Sequence, residues 1–360
     1  PILIKKKEEY LVQFNEKKSD FLSFFTNYTD DLEFFQSPPS NYRTRAEFGI
    51  VSKNSFDFTM VENGERILVN HLDICNPSIN QIILLLKKQV ALINTLKEKL
   101  FQVEIQVSRK GESLILLIYH KFLDTNWIEK AHILSKKLQS SIIGRSKNQK
   151  LVIGKDYIIE TYDVNDYKFQ IKLYEQCFSQ PNPDMCDHML SWVAHNPRSK
   201  SDVVELHCGV GTFTVILSKM FSKVLCTENS RPSIKALEIN MKNNNISNVA
   251  FGRLSGIETL EALNRKREFT RLQHVNLQDY RIDTLFLDPP RSGLESLTID
   301  LIKEINFKQV IYLSCNFQSL KSNILDLLST YEVEKAAFFD QFPYTNHMET
   351  GVFLRRKIRA

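Results

Sequence analysis

The residues with the clearest capacity for chemistry are a thiol and a carboxylate near the end of the chain. Cys315 closes the apolar run Ile311-Tyr312-Leu313-Ser314-Cys315-Asn316, and Glu349 lies within Phe342-Pro343-Tyr344-Thr345-Asn346-His347-Met348-Glu349-Thr350-Gly351. An apolar run bounded by polar residues reads as a buried strand. Its carboxyl end is where open α/β sheets place their ligands. A thiol there is a candidate nucleophile, although a lone Cys is equally at home in a core. A carboxylate among aromatic neighbours tends toward a raised pKa, useful for moving protons near neutrality. Taken alone, Glu349 is equally a solvated hairpin residue.

Three further stretches fall at strand ends. Glu205-Leu206-His207-Cys208-Gly209-Val210-Gly211-Thr212-Phe213 lies between a strand and a helix, where Gly209 and Gly211 let the backbone turn tightly against a ligand. The third glycine of a dinucleotide fingerprint is replaced by Thr214, and no other phosphate-cradling feature is present. Glu228 ends the next strand, at the distance from which a carboxylate accepts hydrogen bonds from ribose hydroxyls. Glycines plus this carboxylate, without phosphate signals, fit S-adenosyl-L-methionine better than NAD. Leu287-Asp288-Pro289-Pro290-Arg291-Ser292-Gly293 forms a rigid acidic loop whose prolines donate no backbone bonds, with Asp288 at the crevice.

The elements that must position these residues change character along the chain. Residues 8–26 carry Leu11, Phe14, Phe21, Phe24 and Phe25 at helical spacing. Strands are expected near 42–50, 56–61 and 65–68, with a turn at Asn63-Gly64. A long helix over about 76–100, strands at 101–107 and 113–120, and a helix over 124–140 follow. This first half shows no βαβ rhythm and reads as an α+β domain, 1–177. After Gln180-Pro181-Asn182-Pro183 strands alternate with helices, which implies a doubly wound, Rossmann-like sheet over 178–360 with a hairpin at its end. The last strand is expected to be antiparallel.

Composition is that of a soluble globular protein: 360 residues, 42% hydrophobic and 25% charged. No run reaches the length of a membrane span, and the basic start Ile4-Lys5-Lys6-Lys7 continues into Glu8-Glu9 instead of an apolar core. A cytoplasmic location is therefore expected. The six cysteines form no Cys-x-x-Cys pair, which argues against disulfides, structural zinc and an iron–sulfur cluster. Residues 101–150 hold nine Lys/Arg against four Asp/Glu, an excess equal to the net charge of +5 for the whole chain. Such a surface suits a polyanion or simply solvent.

At these motifs the chain resembles the RNA uracil-5-methyltransferases, and most closely the bacterial tRNA (uracil-5-)-methyltransferases. The similarity runs over essentially the whole chain. It includes Tyr42-Arg43-Thr44-Arg45-Ala46-Glu47-Phe48, Leu117-Ile118-Tyr119-His120-Lys121, Gln180-Pro181-Asn182, Asp288–Leu294, Ser314-Cys315-Asn316 and Asp340–Gly351. The resemblance implies S-adenosyl-L-methionine as methyl donor, with Gln180, His207, Gly209, Gly211, Thr212, Glu228 and Asp288 around it. It assigns Cys315 as nucleophile and Glu349 as the acceptor of the C5 proton. Tyr is usual at position 207, Asn at 212 and Pro at 317, where this chain has His207, Thr212 and Phe317.

Uracil C5 is too weak a nucleophile for a sulfonium methyl, and a thiolate added at C6 makes it enolate-like. The site is expected to activate Cys315, because a free thiol is only a few per cent thiolate at neutral pH. The target base must also leave its stack. Arg43, Arg45, Phe101, Tyr119, His120, Lys121 and Arg271 are the candidate RNA contacts. The chain shows neither the added N-terminal OB-like domain nor the four-cysteine cluster typical of related rRNA enzymes. The expected partner is therefore the T-arm of tRNA, with tmRNA a further substrate, met by a monomer. The alternatives are a uracil-5-methyltransferase of rRNA and a tRNA-binding or folding protein with incidental catalysis.

Overall fold

An eight-stranded and a seven-stranded sheet organise the chain in the computed structural model, which describes residues 7–52, 56–62, 64–197 and 199–358. The basic start at 4–6, and Asn63 of the expected Asn63-Gly64 turn, lie outside the described residues.

Helix α1 (Lys7–Phe25) and strand β1 (Leu32–Phe35) come first. The seven-stranded sheet follows, from β2 (Arg45–Val51), β3 (Asp57–Glu62), β4 (Glu65–Val69), β5 (Leu100–Val107), β6 (Ser113–Tyr119), β7 (Ser141–Ser146) and β8 (Gln149–Ile153), in the order β4-β3-β2-β5-β6-β7-β8. Helices α2 (Pro77–Val90), α3 (Asn94–Lys97) and α4 (Thr125–Leu138) belong to this half. The Asn76 side chain caps α2 through Ser78 N, and Asp124 caps α4 through Trp127 N. Two expectations change here. The helix over 76–100 is two helices, because it stops at Val90 and Lys99, with φ 58°, turns the chain into β5. One βαβ unit does exist, since α4 joins β6 to β7 in parallel.

A hairpin of β9 (Tyr157–Val164) and β10 (Tyr167–Tyr174) leads into the second half. That half holds α5 (Pro183–His195), β11 (Asp202–Leu206), α6 (Thr212–Met220), β12 (Lys223–Thr227), α7 (Arg231–Asn243), β13 (Val249–Gly252), α8 (Gly256–Leu263), β14 (Ile282–Leu287) and α9 (Ser296–Ile305). It ends with β15 (Gln309–Ser314), α10 (Phe317–Leu327), β16 (Tyr331–Phe339) and β17 (Glu349–Arg356). The sheet runs β1-β16-β17-β15-β14-β11-β12-β13. Its strands are parallel except β17, which pairs antiparallel with both β15 and β16.

The division at 177 does not hold for the N-terminus. β1 adds a parallel strand to the free edge of β16, and Phe35 stacks on Phe339 with ring centroids 4.8 Å apart. Tyr10, Phe14, Phe21 and Phe25 of α1 are buried in the same core as β14, β15 and α10. The cause is apolar burial: α1 covers one face of this sheet, where each buried aromatic side chain contributes about 1.5–3 kcal/mol. Phe317 occupies the first position of α10 and lies within about 6 Å, ring to ring, of Phe21, Phe24 and Phe25. Phe317 thus docks the helix after the thiol onto α1. No helix among the described residues is long and apolar enough to cross a membrane.

Candidate active site

Strand order places the chemistry in one row. Along the carboxyl edge of the parallel strands, Glu349 opens β17, Cys315 follows β15, Asp288 follows β14, His207 to Gly211 follow β11 and Glu228 follows β12. Ser314 pairs with Thr350 across β15 and β17, so the antiparallel register carries Cys315 opposite Glu349. Leu287 pairs with Tyr312, which brings Asp288 to the other flank of the thiol. Adjacent strands lie about 4.8 Å apart. Cys315 is half-buried and the other five cysteines are buried. The thiol is therefore reachable at the mouth of the crevice.

The loops are fixed by their own hydrogen bonds. Asn316 caps α10 through Gln318 N and Ser319 N, and its Nδ2 donates to Arg291 O at 2.9 Å. Ser319 Oγ donates to the same carbonyl, so the Cys315 loop and the Pro-Pro loop are tied together. Gly293 has φ 77°, and a Cβ there would fall 2.7 Å from Asn323 Oδ1. Glu228 accepts from Gly209 N (3.1 Å) and Ser230 N (2.7 Å), one bond per oxygen. Each oxygen keeps a lone pair for a ribose hydroxyl. A Cβ on Gly209 would meet nothing within 4 Å, so this loop opens onto free space beside Glu228. Gly211, with φ 93°, has no such room, because a Cβ would come within 2.5 Å of Leu237 Cδ1. Thr212 opens α6 directly after it. His207 adopts φ 61°, and Gly256 leaves space for its ring. An adenosyl group with a ribose diol fits this set of donors, acceptors and open space.

Electrostatics reverse one expectation. Instead of being activated, the Cys315 thiol is pushed up to about 11. Burial is the largest cause, followed by the Glu349 and Asp288 carboxylates, while the neighbouring Arg291 guanidinium pulls the other way. Glu349 is buried, and its Oε1 has no partner among the described residues. Burial, then the Asp288 charge, holds its pKa well above the carboxylate range. Asp288 is itself raised by burial. Glu205, buried on β11 with its carboxylate accepting from Thr214 Oγ1 at 2.6 Å, is pushed up to about 8, mainly by burial. Burial lowers His207, so its imidazole is neutral near pH 7.

The candidate RNA contacts divide. Phe101 and His120 stack face to face, centroids 3.8 Å apart and planes 9° from parallel, with His120 exposed. Lys121 borders them, its Nζ donating to Thr95 O and 3.2 Å from Glu98. Phe122, 75% exposed, extends the patch. Tyr119 is a correction: it is 2% exposed and its hydroxyl donates to Leu96 O, so it belongs to the core. Arg45 is another, because its guanidinium donates to Cys177 O, Glu175 O and Glu104 and ties β2 to β5 and to the segment that follows β10. Arg43 Nε donates to Arg45 O. Arg271 pairs with Glu258 beside β13, at the edge of the sheet three strands from β14, and is not brought to the thiol.

Sequence reasoning missed Arg291 as the thiol's counter-charge. It also missed Gln341, whose Nε2 donates to Gln180 Oε1 at 2.8 Å. An amide in a loop gives no signal of burial.

Comparison with known proteins gives the family and the fold. The family model for tRNA (Uracil-5-)-methyltransferase matches residues 9–357. A tRNA/tmRNA (uracil-C(5))-methyltransferase of Aliarcobacter butzleri is 41% identical, covering 96% of this chain and 94% of its own. One from Acinetobacter baylyi is 40% identical, covering 90% and 92%. The fold is shared with the Pyrococcus abyssi tRNA (uracil-54, C5)-methyltransferase solved with S-adenosyl-L-homocysteine, at a TM-score of 0.74 and 17% identity over 96% of this chain and 83% of that one. With the match spanning nearly every residue, the chain belongs to the tRNA (uracil-5-)-methyltransferase family.

Proposed function

We propose that this protein methylates C5 of a uridine in the T-arm of tRNA, the uridine named in the Pyrococcus abyssi relative as position 54, through a covalent bond between Cys315 and C6. The names of the bacterial relatives extend the reading to tmRNA. The observation that carries it is the register that sets Cys315 opposite Glu349 at one end of β15 and β17, with Asp288 on the flanking strand.

S-adenosyl-L-methionine supplies an electrophilic methyl group. Glu228 and the Gly209 loop offer its ribose two acceptors and open space, while Gln180, His207, Thr212 and Asp288 border it. Cys315 bonds to C6 from one face of the ring, and C5 gains the electron density to take the methyl. Glu349, in its ionised form, then accepts the C5 proton, the C6–S bond breaks to restore the C5–C6 double bond, and the departing thiolate takes back the proton it gave to Asp288 on attack. Phe101, His120 and Lys121 would offer the unstacked RNA a stacking face and a charge. Every group in this scheme belongs to one chain, so a monomer suffices.

The test uses RNA carrying 5-fluorouridine at the target position together with S-adenosyl-L-methionine. Fluorine cannot leave as a cation, so a protein–RNA adduct should survive denaturing electrophoresis. An adduct that forms equally with Cys315→Ala would remove the nucleophile assigned here.

A further inference from the structure

Gln341 stands just beyond β16, on the edge where Glu349 opens β17. It is fully buried. Its Nε2 holds Gln180 Oε1, while its Oε1 has no partner among the described residues. A buried polar atom without a partner costs about 1–3 kcal/mol, so such atoms at a crevice are commonly completed by a ligand.

The surrounding structure keeps this amide from finding another partner. The preceding residue, Asp340, is gripped from the α1 side by Lys17 Nζ (2.8 Å) and Gln13 Nε2 (3.0 Å). Lys17 also donates to Phe342 O at 2.9 Å, so both flanks of Gln341 are anchored. Gln180 is equally fixed: Thr44 donates to Pro181 O through N (2.8 Å) and Oγ1 (3.2 Å), and Asn182 Nδ2 donates to Ser37 Oγ at 2.8 Å. With its NH2 committed to Gln180, Gln341 presents a preset acceptor.

We propose that Gln341 determines base identity, its Oε1 accepting the N3–H of the target uracil. The inference rests on the reading that a pyrimidine seats over Cys315. Uracil carries a proton on N3, whereas cytosine carries a lone pair there, and an amide oxygen facing that lone pair would repel it. Gln341 is thus a specificity-determining residue, and the long α1 brace through Asp340 keeps its oxygen in place.

The experiment compares wild type, Gln341→Met (similar length, no acceptor) and Gln341→Glu (acceptor retained) in the full chain. Three quantities are read: the rate of adduct formation with 5-fluorouridine RNA, the same rate with 5-fluorocytidine RNA, and the affinity for S-adenosyl-L-homocysteine by calorimetry. The expected result for Gln341→Met is a fall of about tenfold or more with the uridine RNA. Its uridine-to-cytidine ratio should shrink, with S-adenosyl-L-homocysteine affinity within about threefold of wild type. Gln341→Glu should keep the uridine preference and carries the test if the Met variant does not fold. An unchanged ratio in the variant lacking the acceptor overturns the proposal. So does a loss confined to S-adenosyl-L-homocysteine affinity, since the amide would then serve the donor. If wild type itself forms no adduct with 5-fluorouridine RNA, the covalent reading fails instead, and the two failures are told apart.

Discussion

The raised thiol gives a sharp prediction for the free enzyme. With Cys315 at about 11, its thiolate fraction at pH 8 is on the order of 10⁻³, against roughly a quarter for a free cysteine near 8.5. Each thiolate of higher pKa is intrinsically more nucleophilic, by roughly tenfold over such a gap at a Brønsted slope near 0.45. The two effects leave Cys315 roughly 20-fold slower than a peptide cysteine toward a neutral aromatic disulfide. The assay is the release of thiopyridone from dithiodipyridine under native conditions, followed from about pH 7 to 11. The five other cysteines are buried, and Cys315→Ala supplies the blank. Asp288→Asn should speed the reaction at pH 8, because it deletes one of the carboxylates holding the thiol up. A rate within about threefold of the free peptide, or a midpoint below about 9, would refute the electrostatic account.

Three other outcomes are expected. Glu349→Gln should lower turnover by about 10²–10⁴-fold while still forming the bond to C6, measured as tritium release from 5-tritiated uridine RNA alongside accumulation of the adduct. Lys17→Met strands the Asp340 carboxylate, a 2.8 Å ion pair whose side chains are 7% and 0% exposed, and should cost about 3–5 kcal/mol in urea denaturation, with Asp340→Asn in the same chain recovering part of it. Glu205, about 8, and Asp288, about 7, hold protons in the folded state that the unfolded chain releases near 4. Their contribution to stability is therefore full below pH 4 and lost as pH rises through 7 to 8. The denaturation midpoint of Glu205→Gln should show a shallower decline over that range than wild type.

Much of the second half was legible because its signals are local. An apolar run ending in Ser314-Cys315-Asn316, or in Asp288-Pro289-Pro290, declares both a strand and its exit, and the alternation with helices implies one shared edge. What could not be read is where locally ambiguous pieces dock. Leu32–Phe35 is a four-residue strand, and nothing in its sequence says that its partner is β16, some three hundred residues on. Tyr119 reads like Phe101 and His120 in composition, yet the pleat turns it inward. Arg45 reads as a free cation until the fold brings three acceptors to it. The thiol's pKa depends on which charges strand order places beside it, which is likewise not local information.

That electrostatic arrangement suits the proposed chemistry better than an activated thiol would. A permanent thiolate beside a sulfonium methyl donor would be the first nucleophile the donor met, and the enzyme would methylate itself. A thiol held near 11 stays protonated until a pyrimidine arrives. Its proton must then go to a neighbour, and later a second proton must leave C5. One ordinary carboxylate would be consumed by the first transfer unless water entered between steps. Asp288 and Glu349, both raised by burial and each sensing the other, titrate as a pair. Asp288, free of its own proton above about pH 7, can take the thiol's, which leaves Glu349 in its ionised form for the C5 proton. On this argument, the antiparallel β17, which breaks the otherwise parallel sheet, serves to deliver the second carboxylate to the carboxyl end of β15.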